Sequence, residues 1–165
     1  MSTTRVHKDP DALTMTVTTT LDATAERAWR LWADPRQLER WWGPPGYPAT
    51  FVDHALTVGT RTTYYMTSPE GEKFYGFWEI VAVDPPRCLE VLDGFADSDG
   101  NPDESMPAGT MIVTFDEHDG TTEMAILSYF TSLEAMEQLL AMGQEQGMVA
   151  ALTQIDAILA DPAFV

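Results

Sequence analysis

The sequence predicts an α+β fold: a seven-stranded antiparallel sheet, two short helices after the first strand and one long C-terminal helix. Three observations carry that expectation. Apolar residues alternate with period two at 13–21, and strand-like segments broken by turn residues fill 49–130. The period switches to helical spacing after Thr24 and again after Thr131. The breaks between strands are too short for crossovers, so neighbouring strands run antiparallel.

The first strand is the clearest element. Leu13, Met15, Val17, Thr19 and Leu21 share one face and Thr14, Thr16, Thr18 and Thr20 the other, the pattern of a half-buried antiparallel strand. Thr24 then caps a helix whose apolar side is Ala25, Ala28, Trp29 and Trp32. Asp34-Pro35 ends it and starts another, with Asp34 as N-cap, Pro35 in the first turn and Gln37 completing a capping box. Leu38, Trp41 and Trp42 are its apolar face, and Gly43-Pro44-Pro45-Gly46 closes it.

Six further strands are predicted at 49–57, 60–67, 73–82, 87–95, 109–116 and 122–130. Val58-Gly59, Pro69-Glu70-Gly71, Asp84-Pro85-Pro86 and Asp119-Gly120 supply turn chemistry between them. Thr131 with Glu134 opens the last helix, and its stripe runs through Leu133, Met136, Leu140, Met148, Ala151, Leu152, Ile155 and Leu159. As one helix of some 28 residues it would span about 42 Å, with Gly143 and Gly147 as places to bend or divide it.

Composition bounds the function. At 165 residues the chain reads as a single domain, 1–165, able to bury about two-thirds of its surface, with residues 1–11 as a flexible tail. A 44% apolar and 21% charged composition excludes a disordered chain. Cys88 is alone, so no internal disulfide forms. There is no apolar run long enough to span a bilayer and no apolar signal segment in Met1–Pro10, so a soluble, cytoplasmic protein is expected. The net charge of −17 repels phosphate backbones and anionic headgroups, which argues against nucleic acid and membrane partners. The acids are scattered, which fits solubility better than a dock for a basic partner; 93–104 is the exception.

The element order and several local stretches resemble the helix-grip superfamily of START and birch-pollen-allergen-like proteins, often called SRPBCC. Within it the chain is similar to bacterial proteins related to the activator of the heat-shock-protein-90 ATPase. The stretches are Ala23-Thr24-Ala25-Glu26-Arg27-Ala28-Trp29, Asp34-Pro35 through Leu38 to Arg40-Trp41-Trp42-Gly43-Pro44, Val58-Gly59-Thr60-Arg61, Ser68-Pro69-Glu70-Gly71, Val83-Asp84-Pro85-Pro86-Arg87 and Gly147-Met148. Thr60 stands where the family often has a second glycine, and Met148 where it often has tryptophan. The slimmer methionine leaves a roomier cavity or a repacked core. The resemblance implies a curved sheet wrapped on the long helix, with a cavity between them for an apolar molecule. It supplies no shared catalytic residue. The co-chaperone activity belongs to a two-domain eukaryotic protein, so a chaperone partner is not expected for this single domain.

The aromatic and methionine inventory suits such a cavity. The residues placed around a ligand are His54, Tyr64, Met66, Trp78, Phe95, Met136, Leu140 and Met148, while Trp41 and Trp42 pack the helix pair onto the sheet. His54 shares a period with Val52, Leu56 and Val58, which aims it inward either as a polar anchor or as a hydrogen-bonded core histidine. Asp93 follows Leu89 and Val91 at period two and would face the cavity if the strand runs on through Gly94, or open a loop if it stops there. These two are the candidate acid–base groups of an alternative reading, a cyclase- or hydrolase-type enzyme.

Other chemistry finds little support. Asp97–Glu104 imitates a calcium loop but puts Pro102 in the glycine position and Ala108 in that of the bidentate glutamate, so it reads as an acidic lid over the cavity mouth. His7, His54 and His118 lack metal spacing, and no nucleophile elbow, zinc helix or phosphate loop is present, so no metal or cofactor is expected and the balance leans against an enzyme. Cys88 has only Arg87 as a basic neighbour and reads as structural. The leading expectation is binding of a small apolar or amphipathic ligand; a co-chaperone-like interaction module is the third reading. A homodimer through an exposed sheet edge fits the pattern as well.

Overall fold

The computed structural model describes residues 3–164. A single antiparallel sheet of eight strands has the order β1-β2-β8-β7-β6-β5-β4-β3. The strands are β1 (Thr3–Asp9), β2 (Thr14–Leu21), β3 (Ala49–Phe51), β4 (Arg61–Thr67), β5 (Lys73–Asp84), β6 (Cys88–Phe95), β7 (Gly109–His118) and β8 (Thr121–Tyr129). Helices α1 (Ala25–Ala33) and α2 (Pro35–Trp41) follow β2, and α3 (Leu133–Ala141), α4 (Gln144–Leu152) and α5 (Ile155–Leu159) follow β8. This is the α+β helix-grip arrangement. Among the described residues no helix is long and apolar enough to cross a membrane.

The local signals act as their chemistry dictates. Thr24 caps α1 by accepting the Arg27 amide at 3.1 Å, and Asp34 caps α2 by accepting that of Arg36 at 3.0 Å. The Gln37 amide donates back to the Asp34 carboxylate at 3.0 Å and accepts the Arg27 guanidinium at 2.6 Å, which satisfies a buried polar residue. β2 alternates as expected, its inward Met15, Val17, Thr19 and Leu21 all buried.

Three expectations need correction. Thr3–Asp9 is not a tail but an eighth strand, paired with β2 in the register Val6↔Val17. Its seven residues are nearly all solvent-facing, so no hydrophobic period announces it; backbone pairing and a 2.6 Å ion pair from Lys8 to Glu145 hold it. The strand predicted at 49–57 ends at Phe51, since Val52 makes the last ladder bond, to the Thr63 carbonyl. The chain then turns, with the Thr60 hydroxyl closing on the Thr57 carbonyl at 2.6 Å.

The third concerns the C-terminal helix, which is three segments rather than one rod. Gly143 adopts φ +94°, a left-handed conformation that stops α3 after Met142 and starts α4. The Thr153 hydroxyl bonds back to Ala150 at 2.6 Å, and the Gln154 amide donates to the Gly43 carbonyl at 2.7 Å, tying the α4–α5 joint to the end of α2.

The concave face of the sheet and the helices enclose the core. At one end Trp32, Trp41, Trp42 and Trp78 pack edge to face, with Trp32–Trp41 centroids 4.8 Å apart and Trp42–Trp78 4.9 Å apart. Each of Trp32 and Trp41 also places its indole N–H, on Met124 Sδ at 3.3 Å and on the Leu31 carbonyl at 2.9 Å. The four rings fix α1 and α2 against β5 and so set one wall of the site.

Candidate functional site

A cavity of about 330 Å³ lies between the concave face of the sheet and α3–α4. Its walls are mostly apolar: Trp42, Met66, Phe95, Met111, Phe130, Leu139 and Met148. Phe74, Tyr129 and Met142 line it too and are exposed, so they form a hydrophobic rim where it meets solvent. The break at Gly143 falls on this wall and gives the roof two short helices in place of a straight one.

One polar cluster interrupts the apolar surface. β6 runs on through Gly94 to Phe95, so Asp93 keeps the inward phase of Leu89 and Val91. It pairs directly with Trp78 on β5 and with Gly109 on β7. The Tyr64 hydroxyl, from β4, donates to the Asp93 carboxylate at a long 3.3 Å. The Trp78 indole N–H is turned toward Asp93 and that of Trp42 toward Tyr64; both ease charge on those groups, yet neither closes a well-formed hydrogen bond.

Electrostatics follow from this placement. Burial pushes the Asp93 carboxyl up to about 7, against the smaller opposing effects of the Tyr64 and Trp78 donors. Burial and then the Asp93 charge drive the Tyr64 phenol well above its usual range, so it stays a donor. Asp93 thus sits between protonation states near neutral pH, in a cavity whose lining holds no lysine, arginine or histidine. Ser128, Thr110, Gln144 and the phenols of Tyr75 and Tyr129 add to the polar lining, and the Gln144 side-chain oxygen is buried without a partner.

The candidate residues distribute unevenly. Tyr64, Met66, Phe95, Met148 and Asp93 line the cavity. Trp78 lies one layer behind it, fully buried against Trp42 and Trp32. Met136 is core, and Leu140 packs on the core while its neighbour Leu139 faces the cavity. His54 stands apart: the strand that would have aimed it inward has already ended, and its Nε2 meets the Trp32 carbonyl at 2.8 Å. Burial lowers its pKa.

The acidic segment after β6 is not a lid over this cavity. An Ala96↔Pro102 bridge folds it on itself, Asp97 caps the Asp99 and Asn101 amides, and Gly100 rests against Thr63 on the opposite side of the sheet. Among the described residues no three His, Cys, Asp or Glu side chains converge as a metal site would require. Burial and neighbouring Glu90 and Asp84 raise the Cys88 thiol, which leaves it a poor nucleophile.

Several lining residues went unmarked in the sequence. Trp42 serves both the tryptophan cluster and the cavity wall. Met111 and Ser128 face inward in register with Val91 and Met15, and the pairing that places them is non-local. Gly76 lies opposite Tyr64 and lines the cavity because it has no side chain to fill it.

Sequence comparison agrees with this architecture over most of the chain. Residues 22–160 match the family described as Activator of Hsp90 ATPase homolog 1-like protein. The chain belongs to that family. Protein Ms6760 from Mycobacterium smegmatis shares 50% identity over 96% of this chain and 97% of its own, with a TM-score of 0.88. A protein from Arthrobacter aurescens shares 45% identity over 96% and 92%, with a TM-score of 0.91. One from Staphylococcus epidermidis shares 29% over 94% and 93%, with a TM-score of 0.81. No curated protein matches the sequence. Family and fold together describe a ligand-binding or chaperone-related module of SRPBCC type.

Proposed function

We propose that this member of the Activator of Hsp90 ATPase homolog 1-like family binds a small apolar or amphipathic molecule between the sheet and α3–α4. The observation that carries the reading is the 330 Å³ cavity itself, apolar-walled with one convergent polar cluster. Burial of the ligand's apolar body would supply the binding energy, at about 25 cal/mol per Å² before ordering costs. Asp93 and Tyr64 would orient its polar end. The acidic surface and the lone free Cys88 support a cytoplasmic setting.

Native mass spectrometry of the purified chain, followed by denaturing extraction, tests this. The expected result is a stoichiometric small molecule, retained by the wild type and lost from Met148→Trp, whose indole fills the space beside Phe95 and Trp42. A protein that emerges empty, and whose melting temperature no apolar compound in a panel raises, overturns the reading.

Asp93 favours a second reading, acid–base chemistry on the bound molecule. A carboxyl poised near neutrality beside a neutral phenol is suited to move one proton. Turnover that persists in Asp93→Asn removes it.

A further inference from the structure

The polar cluster in the cavity is unbalanced in charge. Three donors, the Tyr64 hydroxyl and the Trp42 and Trp78 indoles, are turned toward Asp93 or toward one another, but no positive group accompanies them. The basic residues nearest along the adjoining strands are engaged elsewhere. Arg61 bonds Glu79 at 2.9 Å, and the Lys73 ammonium lies 4.6 Å from the Tyr65 ring centroid. Neither lines the cavity. A second acceptor, the buried and unpartnered Gln144 Oε1, stands on the helical wall. Trp42 lines the same cavity, while Tyr64 presents its hydroxyl to the carboxyl and stacks its ring on Phe51.

A carboxyl that lines an aromatic-walled cavity and lacks its counter-ion is half of an ammonium site. Cations are drawn both to carboxylates and to the faces of tryptophan and tyrosine, most strongly where water is excluded. An anionic ligand would instead meet the Asp93 charge inside a chain of net charge −17.

We infer that the cavity selects an amine: an apolar molecule with one basic nitrogen, its ammonium held by the Asp93 carboxylate inside the aromatic-walled cavity. The inference rests on the reading of the cavity as a binding site and names the ligand class that site takes. It carries a proton linkage. A bound ammonium requires Asp93 ionised, so complex formation releases a proton where the free carboxyl is still partly protonated. Affinity therefore rises with pH until the carboxyl is fully ionised, and falls again only where the amine itself deprotonates, near pH 10. Trp78 from β5 and Gly109 from β7 pair with Asp93 and the Tyr64 hydroxyl from β4 bonds it; the other ionisable side chains of the lining are the phenols of Tyr75 and Tyr129, and none is basic.

Three probes with one apolar body separate the possibilities: 4-phenylbutylamine, 4-phenylbutanol and 4-phenylbutyrate. Each is titrated into the full chain by calorimetry at pH 7.5, in two buffers of different ionisation enthalpy. The amine should bind at least about tenfold tighter than the alcohol, with net proton release, and the acid weakest. Asp93→Asn should bring the amine down to the level of the alcohol in the same variant, abolishing the preference. Tyr64→Phe is the second variant. Loss of the donor should raise the pH midpoint of amine binding and weaken it about threefold at pH 7. Equal binding of amine and alcohol, or tightest binding of the acid, overturns the amine assignment while the cavity reading stands. Failure of all three, with Met148→Trp indistinguishable from wild type, overturns the binding site and the assignment together.

Discussion

The Tyr64 ring occupies the space that a side chain at Gly76 would need. The two residues face each other across β4 and β5, and a Cβ built on Gly76 would lie 2.5 Å from Tyr64 Cζ and 2.6 Å from its hydroxyl oxygen. The glycine lets the phenol lie flat against the sheet, where its hydroxyl reaches Asp93 on the next strand but one. Gly76→Ala should therefore displace the ring, cost about 1–3 kcal/mol and break the Tyr64–Asp93 bond. Thermal melts report the first effect. A carbon-detected NMR titration reports the second as a further rise of the Asp93 midpoint.

Asp93 should destabilise the fold at alkaline pH. Its folded value of about 7 lies above the ordinary 3.8, so the folded chain holds the proton more tightly than the unfolded one. That contribution is complete below about pH 4 and disappears as pH rises through 7. Asp93→Asn should raise Tm by roughly 5 °C at pH 8 and change it little at pH 4. A difference that is the same at both pH values would show that the carboxyl stays ionised.

His54 should matter to stability and not to the cavity. Its ring nitrogen bonds the Trp32 carbonyl at 2.8 Å, and its ring packs on Phe51 with centroids 5.4 Å apart. His54→Ala should cost about 1–2 kcal/mol in denaturant unfolding, yet leave ligand binding and any turnover intact. Its lowered pKa gives the opposite sign to Asp93: the stabilisation is present above the usual histidine value near 6.5 and is lost as pH falls.

Gly143 should be needed for its backbone and not for space. It adopts φ +94° and a Cβ there would meet nothing within 4 Å. Gly143→Ala should cost about 1 kcal/mol through left-handed strain alone. Melting of that variant, compared with Gln144→Ala, measures the strain against a neighbour free of it.

Removal of residues 1–9 should uncover the edge of β2. Val6 leaves the side of Val17, the Lys8–Glu145 pair is lost, and the β2 ladder groups that faced β1 become unpaired. Lower stability and concentration-dependent association in sedimentation are the expected outcomes.

Elements whose neighbours in sequence are also their partners in space could be read from the chain. Capping side chains lie within three residues of the amides they accept, which is why Thr24 and Asp34 were legible. The alternation of β2 was legible because one of its faces is buried throughout. β1 was not, because its residues bury almost nothing and its order comes from a partner strand. The position of His54 has a related cause: period two is continuous in the sequence through Val58, but the strand stops where cross-strand bonding to Thr63 stops.

The sequence by itself determined the α+β class, the antiparallel pairing of neighbouring strands and the capped helix pair, and it offered an aromatic and methionine-rich inventory for a cavity. These follow from periodicity, turn chemistry and composition, which act over a few residues. Only the tertiary structure decided that Asp93 meets Tyr64 and Trp78, that His54 does not join them, and that the roof divides at Gly143. Those facts depend on strand register and on helix docking across the sheet. A carboxyl's charge state is set by the surroundings that packing assembles, and for Asp93 they come from Tyr64 on β4, Trp78 on β5 and Gly109 on β7.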